Sequence, residues 1–210
     1  MIISNRILSI IMLIAIVGDF AVPYILAPFY EGYSHTRSVM SSLGNPKSPV
    51  RMLYNIWLVL LGGLLLFSCR FIYVRFLPVS KGLSITLTVL VAAFAIGAGV
   101  ISGLFSVNER KDVVTTASQI HGIGASVGFM LLLFAPLLLA ILFFKGNNRF
   151  EGIFSLVCFV AAFVFFGLFI MAEKRSFQNT IIVLEGLWQR LTLLFMYLPF
   201  ASIAISELLQ

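Results

Sequence analysis

Apolar residues fill six long stretches of this chain, and polar residues collect between them and at the beginnings of three. The stretches cover 7–27, 52–71, 83–105, 121–144, 152–171 and 182–208. Each approaches the about 20 residues that an α-helix needs to cross the hydrocarbon core. Backbone polar groups in lipid are satisfied only within helices or closed barrels. The pattern therefore predicts an all-α, six-transmembrane-helix bundle, a polytopic membrane protein with 1–210 as a single transmembrane domain. Asn55 opens the second stretch, His121 the fourth, and Glu185 with Gln189 and Arg190 the sixth. In a chain that crosses six times, those three beginnings share one membrane face. They lie 66 and 64 residues apart, a spacing that three successive helical hairpins give without any ancestral repeat.

Composition agrees. Of 210 residues, 60% are hydrophobic and 10% charged, where a soluble domain carries roughly a quarter charged; a soluble fold is excluded. The net charge of +6 sits in links and at helix ends, where Lys and Arg meet lipid head groups. It predicts membrane lipids as partners and no nucleic acid; a second copy or another membrane protein is the further partner class. Cys69 and Cys158 fall in or near apolar runs and read as buried packing residues. The first stretch contains Asp19 and no clear small-x-small cleavage site, so it reads as a helix and not as a removed signal. The links after the second and fourth stretches are short and basic (Arg75 and Lys81; Lys145 and Arg149). They favour a multi-pass protein of the cell membrane with both termini in the cytoplasm.

The first link contains a candidate short helix, capped by Ser34, running through Met40 and stopped by Gly44 and Asn45-Pro46. Val39, Met40 and Leu43 would lid the bundle or lie on the membrane. Thr115, Thr116 and Ser118 are available to cap the fourth helix. Gly99 with Gly103, and Gly124 with Gly128, are small-xxx-small pairs, which predicts that the third and fourth helices pack together. Pro23, Pro136 and Pro199 are candidate kinks.

Four places could carry chemistry. His121 stands on the glycine-rich turn His121-Gly122-Ile123-Gly124 and can serve as base, ligand or polar anchor. Glu185, Gln189 and Thr192 recur at helical spacing, so one face of the sixth helix is polar; Arg190 points away from it, toward head groups or a carboxylate. Asp19, an acid inside an apolar span, costs roughly 2.5–3.5 kcal/mol to insert and should be paired, protonated or turned inward. The links add Ser34, His35, Ser41 and Asn45, then Asn108, Glu109, Arg110, Lys111 and Asp112. His35 and His121 fall on one side, which disfavours haem held between helices. A zinc site from His35, His121 and Glu185 or Asp19 requires the link to fold over. No metal and no cofactor is predicted, and no H-E-x-x-H or P-loop is present.

Several short motifs together resemble a bacterial integral membrane family catalogued as domain of unknown function 998. They are Tyr33-Ser34-His35, Met40-Ser41-Ser42-Leu43-Gly44, Pro46, Pro49 and Tyr54-Asn55. Phe105 and Asn108-Glu109 leading to His121, and Gly186-Leu187-Trp188-Gln189-Arg190-Leu191, complete the set. The resemblance implies six helices and a shared outer-face motif set, without an activity. The expected function is to bind a lipid head group or small polar ligand in an outer-face pocket. Ser34, His35, Ser41, Asn55, His121, Glu185, Gln189 and Arg190 are its expected residues. The alternative is an enzyme acting on a lipid or lipid-linked substrate, with His121 as general base and Glu185 or Asp19 orienting it.

Overall fold

The computed structural model describes residues 3–108 and 113–209. Its six long helices stand where the apolar runs stand, and each is long and apolar enough to cross a membrane: Asn5–Phe29, Arg51–Phe76, Lys81–Leu104, Thr116–Lys145, Arg149–Ala172 and Glu185–Leu208, hereafter spans 1 to 6. No strand occurs among the described residues. Large apolar side chains such as Ile25, Phe67, Val89 and Phe150 are exposed around the outside, as lipid in place of water demands.

Span 4 begins five residues earlier than its apolar run. Thr115 accepts from Ser118 N–H, and Ser118 Oγ accepts in return from Thr115 N–H, a capping box that satisfies two orphan donors. His121 consequently lies more than a turn inside the helix. The same span is interrupted at Phe134, because Pro136 has no N–H for the carbonyl four residues back. Pro23 and Pro199 lie inside uninterrupted helical segments.

Glycines set how closely the spans approach, with one correction to the sequence reading. Spans 3 and 4 do pack, but Gly97 is the residue that faces span 4: a Cβ there would stand 2.2 Å from Gly124 O. Gly99 and Gly103 face span 2 instead, against Gly62 and Leu58 and against Asn55 O and Val59. The reason is a π-helical stretch over Ala95–Ile101. The wider winding rotates these residues away from a plain α-helical register, so the third helix presents glycines to two neighbours.

The first link is also corrected. Ser34 through Ser38 form a turn, and the helical piece is a 3-10 helix over Met40–Gly44. The carbonyls of His35 and Ser38 are turned to Arg190, and Ser38 Oγ accepts from Ser34 N–H. Asn45 stops the element as expected. Its Oδ1 accepts from the N–H groups of Lys47 and Ser48, and its amide donates to Tyr30 Oη and Ser42 O. Cys69 and Cys158 are buried free thiols.

Candidate functional site

A cavity of about 390 Å³ opens on the face bearing the starts of spans 2, 4 and 6. All six spans and the first link line it. Ser41, Glu173, Glu185, Gln189, Ser102 and His121 form the polar end, whereas Leu58, Leu61, Phe94, Phe129, Phe166 and Leu193 line the deeper part. Asp19 borders it ten residues inside the Phe29 end of span 1, roughly 15 Å deep at about 1.5 Å per residue. Its lining residues Met130 of span 4 and Ile170 of span 5 also reach the lipid-facing surface, at 46% and 48% exposed.

His121 is held by span 3. Its Nδ1 lies 2.8 Å from Phe105 O and 3.2 Å from Ser102 O. Both are acceptors, so Nδ1 carries the proton and donates. These carbonyls belong to the last turn of span 3, where helices leave acceptors without partners. Ser102 Oγ in turn donates to Gly97 O inside the π-helical stretch. A neutral ring so oriented leaves Nε2 as an acceptor.

Asp19 accepts from Tyr197 Oη at 2.8 Å, which explains how a carboxylate is held in the interior. Arg190 acts on it electrostatically, whereas the buried Nε1 of the Trp57 indole has no hydrogen-bond partner among the described residues. Gly18 makes room for that indole, since a Cβ there would meet Trp57 at 2.2 Å.

Arg190 is buried, and it points to the first link instead of to head groups or an acid. Its Nη1 donates to His35 O at 2.6 Å, Gly186 O at 2.8 Å and Ser38 O at 3.2 Å. Its Nη2 donates to Tyr33 Oη at 2.6 Å and faces His35 Nδ1 at 3.4 Å. Around it, Leu187 N–H donates to Thr36 O and Met40 N–H to Gln189 Oε1 at 2.7 Å. Gly186 has no room for a side chain, as a Cβ would stand 2.3 Å from Ser38 O. The link is thereby stapled across the start of span 6. Burial and the neighbouring guanidinium lower the His35 pKa, and burial raises that of the Tyr33 phenol.

The structure thus brings Ser41, His121, Glu185, Gln189 and Asp19 to one cavity. His35 and Arg190 hold the link over it. Ser34 hydrogen-bonds within the link, to Thr36 Oγ1 and Ser38. Asn55 does not face the cavity. Its amide donates to Ser106 Oγ at 2.9 Å, it borders a separate groove on spans 2 and 3, and its Oδ1 presses on Gly44. Asn108 ties the third link to the cap of span 4 through Thr115 and Ser118; Glu109, Arg110, Lys111 and Asp112 lie outside the described residues. Among the described residues no three His, Cys, Asp or Glu side chains are grouped to share a metal ion. Sequence reasoning missed Tyr54, Ser126, Glu173 and Tyr197. A tyrosine deep in an apolar run, needing a partner for its hydroxyl, was the available signal for Tyr197.

A helical bundle of six membrane-crossing lengths around a half-polar cavity defines a multi-pass membrane protein. The chain belongs to the family described as protein of unknown function DUF998, whose model matches residues 13–206. No curated protein and no solved structure matches it. The motifs that carry the resemblance are spatial partners: Tyr33 to Met40 meet Gly186 to Arg190, Gly44 meets Asn55, and Phe105 meets His121.

Proposed function

We propose that this protein binds a lipid of its own bilayer, holding the head group at the polar end of the cavity while the chain follows the apolar part. The observation that carries this reading is the cavity's composition by depth, polar at the mouth and mostly apolar below apart from Asp19, with a wall at Met130 and Ile170 that reaches the lipid-facing surface. A pocket that combines apolar walls with a few convergent polar groups is the usual form of a small-molecule site. At about 30 Å³ per water, 390 Å³ is roughly a dozen water volumes. That suits a head group and part of one chain, with the rest passing out between the spans. The motif-bearing face is assigned to the outer side and both termini to the cytoplasm, on the strength of the short basic links after spans 2 and 4.

The enzyme alternative needs His121 bonded to a carboxylate or a nucleophile. His121 bonds backbone carbonyls only, so the geometry favours binding. The experiment is extraction of the full chain in a mild detergent followed by lipid mass spectrometry, with Ala125→Phe as the cavity-filling variant. A near-stoichiometric lipid on the wild type, lost from the variant, supports the reading. Equal, substoichiometric lipid on both sinks it.

A further inference from the structure

The cavity offers acceptors together with uncharged donors, the latter from the Ser41, Tyr54 and Ser126 hydroxyls and the Gln189 amide. His121 is 6% exposed. Its Nδ1 proton is held by Phe105 O and Ser102 O, so the atom it offers to the cavity is the Nε2 lone pair; that atom has no hydrogen-bond partner among the described residues. Asp19 is 3% exposed and takes one donor, Tyr197 Oη, on Oδ2. Gln189 has its carbonyl engaged by Met40 N–H. No Lys or Arg is among the described residues lining the cavity. The buried guanidinium nearby, Arg190, is fully taken up by link carbonyls and Tyr33.

A phosphate brought here would meet uncharged donors only, from Ser41, Tyr54, Ser126 and Gln189. It would place negative charge beside Asp19 in a medium of low dielectric, where no cation is among the described lining residues and the nearby Arg190 is already engaged. An ammonium is the opposite case, and it too finds little. Glu173 and Glu185 at the mouth already have partners, and Arg190 already acts on Asp19. Hydroxyl groups fit both conditions, because they donate to lone pairs and bring no charge.

We infer that the head group taken by this cavity is neutral and hydroxyl-bearing, of the glycerol or sugar type, and that His121 Nε2 at the polar end accepts one of its protons, with the Asp19 carboxylate the next acceptor further in. This rests on the lipid-pocket reading and names the ligand class for the same site.

The test uses the full chain in nanodiscs and four amphiphiles with one twelve-carbon chain: monolauroylglycerol, dodecyl glucoside, dodecylamine and dodecyl phosphate. Affinity is read by native mass spectrometry and by saturable thermal stabilisation. A neutral probe should bind about tenfold or more tighter than the phosphate and the amine, the scale of one or two hydrogen bonds. Which neutral probe binds tighter separates the glycerol from the sugar source. His121→Asn keeps an amide N–H for the span 3 carbonyls and removes the Nε2 acceptor. It should weaken the neutral probe about tenfold, while Gly63→Ala, where a Cβ meets nothing within 4 Å, should not.

If His121→Asn does not fold, Asp19→Asn takes its place, since its amide oxygen still accepts from Tyr197. Preferred binding of the phosphate or the amine overturns the ligand class and leaves the pocket standing. Unchanged affinity in the folded variant overturns the role given to these acceptors. Saturable binding of none of the four overturns the pocket as well.

Discussion

Removing the Arg190 side chain should release the first link from the bundle. The guanidinium is buried and donates to three backbone carbonyls and the Tyr33 hydroxyl at 2.6–3.2 Å. Charge-assisted bonds contribute about 1.5–3 kcal/mol each, and an acceptor left buried without a donor costs about 1–3 kcal/mol. These contributions are not additive within one network. The loss observed when one partner is removed from a buried charged cluster, about 3–5 kcal/mol, is the better guide. That loss falls mainly on the closed position of the link, because the bonds to His35, Ser38 and Tyr33 join span 6 to the link and only the one to Gly186 stays within span 6. At about 1.4 kcal/mol per tenfold, Arg190→Ala should raise the open population roughly a hundredfold or more. Hydrogen exchange by mass spectrometry over residues 33–44 and 185–190 measures this, since Met40 N–H and Leu187 N–H donate across the link–span 6 contact that opening breaks. Arg190→Lys keeps the charge near Asp19 but lacks the planar fork, and it should fall between wild type and alanine. Exchange in the alanine variant within about threefold of wild type would refute the staple.

Other outcomes are also specific. Gly97→Ala forces a Cβ onto the backbone of Gly124 and should lower the melting temperature, with a cost of about 1–3 kcal/mol for overpacking; Gly63→Ala is the matched control. Tyr197→Phe leaves a buried Asp19 oxygen without its donor and should destabilise by about 1–3 kcal/mol, whereas Asp19→Leu with Tyr197→Phe should cost less than the sum of the single changes. The link should loosen in acid. The folded pKa of His35 is lowered, so closure is fully stable above the ordinary value near 6.5 and weakens as pH falls toward the folded value, where only the open form gains a proton. Hydrogen exchange corrected for intrinsic rate should show this slope, and His35→Gln should remove it. Arg37→Cys and Lys81→Cys, both at exposed positions, should label from opposite sides of intact cells, with Arg37→Cys reached from outside.

Six spans, their all-helical class and the shared face of the polar residues were legible in the sequence. Lipid imposes a length and an apolar composition on any helix that crosses it, so the constraint is local and can be read one run at a time. The direction of each polar side chain was not local. Asn55 looked like a cavity residue by position, yet Gly44 and Ser106 hold it elsewhere. Arg190 seemed destined for a head group, and it holds the link because a bend at Ser34–Ser38 presents two carbonyls to it. Gly99 and Gly103 pair with span 2 because the π-helical winding of 95–101 changes which face they occupy. Periodicity could not supply these facts, because each depends on which distant group arrives at a given depth, and most buried hydrogen-bonding groups find a partner there. The sequence alone determined that this chain is a membrane bundle with a polar end. Tertiary packing decided which polar groups hold the bundle together and which face the cavity.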